Sequence, residues 1–289
     1  MDNIKRNSII SGQIFDSERA LYGITDTEIT DCVFAGRADG ESVLKECNNI
    51  TVKDCRFYLR YPMWHCRDFV FERSEADDKA RAALWYCRNG VIDQCSIGCV
   101  KALRECHDIK ITGCRIDSEE FGWKCSEIKA ERSEINSEYL FFDSRNITLE
   151  NISMSGKYSF QYTDGLLIEN SRLDTKDAFW HSKNTVVRNC TLNGEYIGWY
   201  SEGLTLIDCI ITGTQPFCYC TGLKLINCRM KKCDLSFEYS DVQAEVIGHI
   251  DSIKNPLSGT IIAGSVGEVI RSGSVKECKC RITAGGKEI

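Results

Sequence analysis

Apolar and polar residues alternate in short runs along this chain, and the runs return every nineteen residues. The recurring unit reads apolar, any, apolar, any, an Asn- or Asp-like residue, Cys or Ser, any, apolar, as in Ile109–Ile116, Leu204–Ile211 and Leu223–Met230. Its Cys/Ser slot falls at Cys95, Cys114, Ser133, Ile152, Ser171, Cys190, Cys209 and Cys228, and Cys55 and Ser74 extend the column upstream with the same step. That is the second Cys column of each coil; the first runs eight residues ahead of it, through Cys47, Cys66, Cys87, Cys106, Cys125, Ser144, Thr163, Ser182, Ser201 and Cys220. The longer step of 21 from Ser74 to Cys95 puts two extra residues in the polar run Glu75–Lys79, predicted to bulge from a coil corner. A period near twenty residues defines a solenoid, in which each repeat buries its apolar face only against its neighbours.

Within a repeat the period is two, the signature of short strands. Asp117-Ser118, Ser155-Gly156, Asn193-Gly194 and Thr212-Gly213 supply turns between them. Nineteen residues making a circuit of short strands predict a parallel β-helix, with coils stacked about 4.8 Å apart and like residues in ladders. The slot before the second Cys column holds Asp31, Asp54, Gly113, Asn151, Asn170, Asn189, Asp208 and Asn227, residue types that tolerate a left-handed corner. Arg73, Gln94 and Arg132 interrupt that series. The expectation is an all-β, single-domain solenoid of about eleven coils, with coils and an N-terminal cap over residues 1–240 and irregular coils and a cap over 241–289. The segment His249–Gly259 is polar and out of register, and is expected to cap the last coil, since an uncovered solenoid end is an open edge. The alternative is a loop closing over a groove.

The Ile-x-Ile-x-Asn-Cys-x-Leu coil resembles the right-handed parallel β-helix of the pectate-lyase-like superfamily. The whole chain is similar to a bacterial family of roughly this length without an assigned function, through Ser17–Leu21, Gly40–Ser42, Tyr61–Trp64, Ala80–Ala82, Phe237–Ser240 and Lys254–Pro256. The resemblance implies right-handed coiling. It carries over no catalytic motif residue by residue.

Composition narrows the function classes. The net charge is −6 and no basic block stands out, which argues against nucleic-acid binding. Met1–Gly12 contains Lys5 and Arg6 but no apolar run of secretory length, and nothing approaches a membrane span. With Cys32 before Cys55 in the second, thirteen of the eighteen cysteines occupy the two ladder columns and interchange there with Ser and Thr. The slot therefore takes a small, weakly polar side chain, and reduced packing thiols in a cytoplasmic protein are expected.

One stretch of each coil breaks the alternation. Before the first Cys column come Trp64-His65, Trp85-Tyr86, Arg104-Glu105, Trp123-Lys124, Phe142-Asp143, Gln161-Tyr162, Trp180-His181, Trp199-Tyr200 and Cys218-Tyr219. All five tryptophans share one column, and an apolar series (Met63, Leu84, Leu103, Phe141, Phe160, Phe179, Phe217) precedes it. Two residues between inward positions require a corner. If it faces solvent, Trp64, Trp85, Arg104, Trp123, Trp180, His181, Trp199 and Tyr200 line an axial groove suited to sugar rings. If it faces inward, the tryptophans fill coil corners. Glu105, Lys124 and Asp143 lie on consecutive coils, which would set the carboxylates roughly 9–10 Å apart. That is near the spacing of about 6.5–9.5 Å in inverting glycosidases, and it equally suits a charge ladder that keeps coils in register.

The acidic run Asp117, Glu119 and Glu120 with Glu138 reads as a solvated turn rather than a cation site. Cys218/Cys220 and Cys278/Cys280 have poor zinc spacing, and no metal or cofactor is expected. Two functions follow: a carbohydrate-binding or carbohydrate-processing protein, as an enzyme a hydrolase or lyase with Glu105, Lys124 and Asp143 as its catalytic group, or a non-catalytic β-helical scaffold. The expected partner is a glycan or small molecule, without nucleic acid or membrane.

Overall fold

The computed structural model describes residues 7–36 and 41–289, so Met1–Arg6, with Lys5 and Arg6, and Gly40 lie outside the described residues. The chain is an all-β parallel solenoid of about fourteen turns with about nineteen residues per turn. Among the described residues the only helical turn is the 3-10 turn Asp78–Ala80. The chain divides into two compact units, with the boundary between Phe141 and Phe142.

In the first unit one ladder of parallel strands runs through Ser8–Ser11, Thr25–Thr30, Asn48–Lys53, Arg67–Glu72, Arg88–Asp93 and His107–Thr112 to Ser126–Glu131. A second joins Ile14–Phe15 to Glu134–Ser137 in the same order of coils. Facing residues differ by nineteen, as in Ile109 opposite Ile128, except at 23 where Thr27 faces Ile50 and Val33 faces Arg56, and at 21 where Phe69 faces Gly90, Glu75 faces Ser96 and Met63 faces Leu84. Glu75 still faces Arg56 at nineteen, so the two extra residues fall between Ala76 and Leu84. The bulge there is the 3-10 turn, whose first amides are met by the Asp77 carboxylate accepting from Lys79 N–H.

The inward columns are as the period predicts. Ile92, Ile109, Ile111 and Ile128 are buried, as are the cysteines of both ladders. Glycine makes room where a ring is oversized. A Cβ on Gly90 would lie 2.2 Å from Phe69 Cζ, and one on Gly122 would lie 2.3 Å from Phe141 Cδ1. Gly122 thus interrupts the apolar series because the next coil's phenyl ring fills its space.

The small-residue columns are hydrogen-bonding slots as well as packing slots. Cys106 Sγ donates to Leu84 O and Arg104 O and accepts from Cys87 N–H at 3.4 Å. Ser74, in the other column, donates to Glu72 O and accepts from Cys55 N–H at 3.0 Å. One acceptor and one donor serve in the same places, which is why thiol and hydroxyl interchange. Burial pushes the Cys55 thiol up to about 12, which keeps it protonated and able to donate.

The second unit repeats this plan from Arg145–Glu150 through Asp164–Glu169, Lys183–Arg188 and Thr205–Ile207. Leu223–Lys231 then serves both ladders as one long strand. Residues 241–289 form coils of irregular spacing, and His249–Gly259, expected as a cap, lies mostly in strands. Asp241–Lys254 and Ser258–Ile270 are strands that add two further parallel layers, and Arg281–Ala284 adds a third before a short antiparallel return, Lys287–Glu288. Their spacing shrinks: Asp241 faces Ser258 at seventeen, and His249 faces Ser265 at sixteen after a register shift. A nineteen-residue ruler passes over such coils. They account for about fourteen turns rather than eleven.

Candidate functional site

The corner before the first Cys column is built by backbone conformation. His65, Tyr86, Glu105, Lys124, Asp143, Tyr162, His181, Tyr200 and Tyr219 all have φ between 50 and 60°. Such a left-handed residue turns the strand outward between two inward neighbours. It costs about 1–2 kcal/mol for a side chain other than glycine, less for Asn or Asp. The slot before the second Cys column is equally left-handed, φ 53° at Asp54 and 50° at Asn189, and there Asn and Asp dominate. Tyrosine and histidine are not chosen by the backbone at the first corner, so their side chains must be.

The neighbouring tryptophan column is half-buried, and its faces are already covered. In the first unit Trp64 stacks on Trp85 with centroids 5.1 Å apart and planes 5° apart. The Arg104 guanidinium lies 5.2 Å from Trp85 and 5.3 Å from Trp123. In the second unit Trp180 stacks on Trp199 at 5.5 Å. Each indole N–H donates to a backbone carbonyl of the following coil, from Trp85 to Lys101 O at 3.0 Å and from Trp199 to Gln215 O at 2.8 Å. Trp64, Trp123 and Trp180 do the same toward Ala82, Tyr139 and Tyr196. The column is half-buried and edge-on, between the two orientations the sequence allowed.

The outer column differs between the units. In the first, His65 stacks on Tyr86 at 4.8 Å, followed by the exposed Glu105 and Lys124. Glu105 Oε1 lies 3.9 Å from Arg104 Nε, and Lys124 makes no ion pair among the described residues. Asp143, also exposed, belongs to the second unit. There Tyr162, His181, Tyr200 and Tyr219 form one stack with centroid spacings of 5.1, 5.1 and 4.8 Å, and Tyr239 continues it at 5.6 Å. Tyr162 is 51% and Tyr200 41% exposed. None of Tyr162, His181, Tyr200 and Tyr219 spends a side-chain polar atom in a hydrogen bond among the described residues. Tyr162 and Tyr219 join His181 and Tyr200 in this stack, although the sequence singled out only the latter two as ligand-binding candidates. The signal was present as Tyr-His-Tyr-Tyr at nineteen-residue steps, overshadowed by the rarer tryptophans.

The acidic turn is neutralised from its own surroundings. Glu120 pairs with Lys101 at 3.3 Å and Arg104 at 3.7 Å, and Asp117 accepts from Asn136 Nδ2 at 2.9 Å. Among the described residues no group of three or more His, Cys, Asp or Glu could hold a metal ion. No helix among them is long and apolar enough to cross a membrane.

Residues 8–283 match a family described as proteins of unknown function, DUF3737, and the chain belongs to that family. No curated protein matches the sequence. Among solved structures it is similar to a tailspike protein of the E. coli bacteriophage HK620 in complex with a hexasaccharide, at 9% identity and a TM-score of 0.47 over 96% of this chain and 65% of that one. It is similar to the catalytic domain of a GH87 α-1,3-glucanase in complex with nigerose, at 12% identity and a TM-score of 0.46 over 97% of this chain and 64% of that one. A third is PfbA, a surface adhesin of Streptococcus pneumoniae, at 8% identity and a TM-score of 0.37 over 93% of this chain and 86% of that one. The chain spans just under two thirds of the tailspike and glucanase chains.

Proposed function

We propose that the protein is a non-catalytic β-helical binding protein that takes a glycan, or another polyhydroxylated ligand, edge-on along Tyr162, His181, Tyr200 and Tyr219. One observation carries this: a file of rings, exposed at Tyr162, His181 and Tyr200 and half-buried at Tyr219, whose faces are spent on one another while their hydroxyl and imidazole edges remain unused. Stacking fixes each ring in one orientation, so the entropy of placing its polar edge is lost on folding rather than on binding. The edges recur about every 5 Å, a spacing that suits a ligand with regularly repeated hydroxyl groups. Structural tryptophans, each committed to a backbone carbonyl, hold the corner from behind.

The test is a glycan array followed by calorimetry on any hit. Tyr162→Phe and Tyr200→Phe keep the stack and delete only a hydroxyl, so each should weaken binding by about three- to tenfold, the worth of one hydrogen bond. Undiminished binding by both variants, or no ligand for the wild type, removes the proposal and leaves the scaffold reading.

A further inference from the structure

The second unit carries an exterior groove away from the aromatic corner, on the outer face of the strands Leu223–Lys231, Asp241–Lys254 and Ser258–Ile270. It is a concavity of about 200 Å³, and its outward side chains are Lys224, Ile226, Gln243, Glu245, Thr260 and Ile262. Ile226 is 42% and Ile262 48% exposed. They stand on strands that flank Glu245, since Glu245 faces Ile262 directly and Ile226 follows the Leu225–Ala244 pair. Ile207, facing Ile226 on the preceding coil, extends the apolar strip.

Several charges of this unit are paired. Arg188 is paired with Glu169, Lys183 with Glu202, Arg172 with Asp174 and Lys254 with Glu238. Lys224 and Glu245 pair with nothing among the described residues. Lys224 faces Gln243, and Glu245 lies two residues further along that same strand. The two charges therefore stand diagonally across the groove, with α-carbons about 8 Å apart from strand geometry. A two-fold axis through the midpoint of that diagonal sets the lysine of one copy on the glutamate of the other, twice over. The same rotation lays the exposed isoleucines against the aliphatic lysine stem and its neighbours. A patch with one cation and one anion related in this way is complementary to itself, which is the requirement for a closed dimer interface.

We infer that this face docks a second copy of the chain, in a two-fold dimer held by reciprocal Lys224–Glu245 pairs around Ile226 and Ile262. The patch is small beside the roughly 800 Å² per partner of a stable interface, so the association is reversible and concentration-dependent.

Sedimentation velocity on the wild-type chain over a wide concentration range reads the dimer directly. The expected mass rises toward twice the monomer's. Lys224→Glu and Glu245→Lys each place like charges across the axis and should shift the dimer to at least tenfold higher concentration. The double variant restores opposite charges and should recover it. Unchanged circular dichroism and melting in all three confirm the fold. A wild type that stays monomeric throughout hands the face to some other partner and overturns the proposal. So does a dimer that ignores both single substitutions.

Discussion

At the residue scale the thiol columns explain an unusual composition. Apart from the one filled by Ile152, the slots take a small group that donates to a carbonyl and accepts an amide, which Cys and Ser can do and Val and Ala cannot. Cys106→Ser should therefore change stability by no more than about 1 kcal/mol. Cys106→Val removes the acceptor of the Cys87 N–H and leaves that buried donor unpaired, at a cost of about 1–3 kcal/mol. Urea unfolding of the two variants side by side decides it. A valine variant as stable as the serine variant would show that packing volume alone fills the column. The same logic makes polar columns legible in sequence: a slot that alternates Cys with Ser is being selected for a bond.

At the element scale the tryptophan column of the first unit behaves as one stack, with Arg104 standing between Trp85 and Trp123 where another ring would be. Its guanidinium is sandwiched between Trp85 and Trp123 and also meets Glu120. A planar cation can fill a ring's place, whereas an ammonium cannot. Arg104→Lys should then lose nearly as much as Arg104→Ala, about 1–2 kcal/mol, because both open a gap between the indoles. Tryptophan emission should shift to the red in both as water enters. A lysine variant indistinguishable from wild type would mean that charge toward Glu120, rather than stacking, is what Arg104 supplies. At this scale the sequence went partway. The column of five tryptophans was visible, but whether an indole shows its face or its edge depends on the twist between successive coils.

At the scale of the whole molecule, the many exterior ion pairs set a pH window rather than a large stability. Arg73, bonded to Asp54 at 2.9 Å through two nitrogens, holds that carboxyl below the usual aspartate range. Its contribution is present above that range and is lost as pH falls through the lowered value. Glu238, bonded to Lys254 at 2.9 Å, holds the ammonium above the usual lysine range. That contribution is present below the ordinary lysine value and is lost as pH rises through the raised one. Stability measured against pH should be flat through neutrality and fall at both ends. Asp54→Asn should flatten the acid limb, and Lys254→Met should lower the plateau and flatten the alkaline limb. Unchanged limbs in both variants would move the titrations to other groups. Each effect is small, because the Arg73–Asp54 pair is well solvated.

The sequence by itself determined the parallel solenoid, the strand period, the inward columns and the left-handed corner at the Asn/Asp slot. These depend on contacts between coil n and coil n+1, which a fixed period writes directly into residue order. The tertiary structure alone decided three things. It showed that residues 241–289 continue the ladder, because a coil can shorten to sixteen or seventeen residues by a register shift and still meet its neighbour's hydrogen bonds. It covered the indole faces, leaving the Tyr162–Tyr219 edges as the open ones, because ring orientation follows from twist and stacking distance rather than from spacing. It placed Lys224 and Glu245 across one groove, because that diagonal exists only once three strands lie side by side.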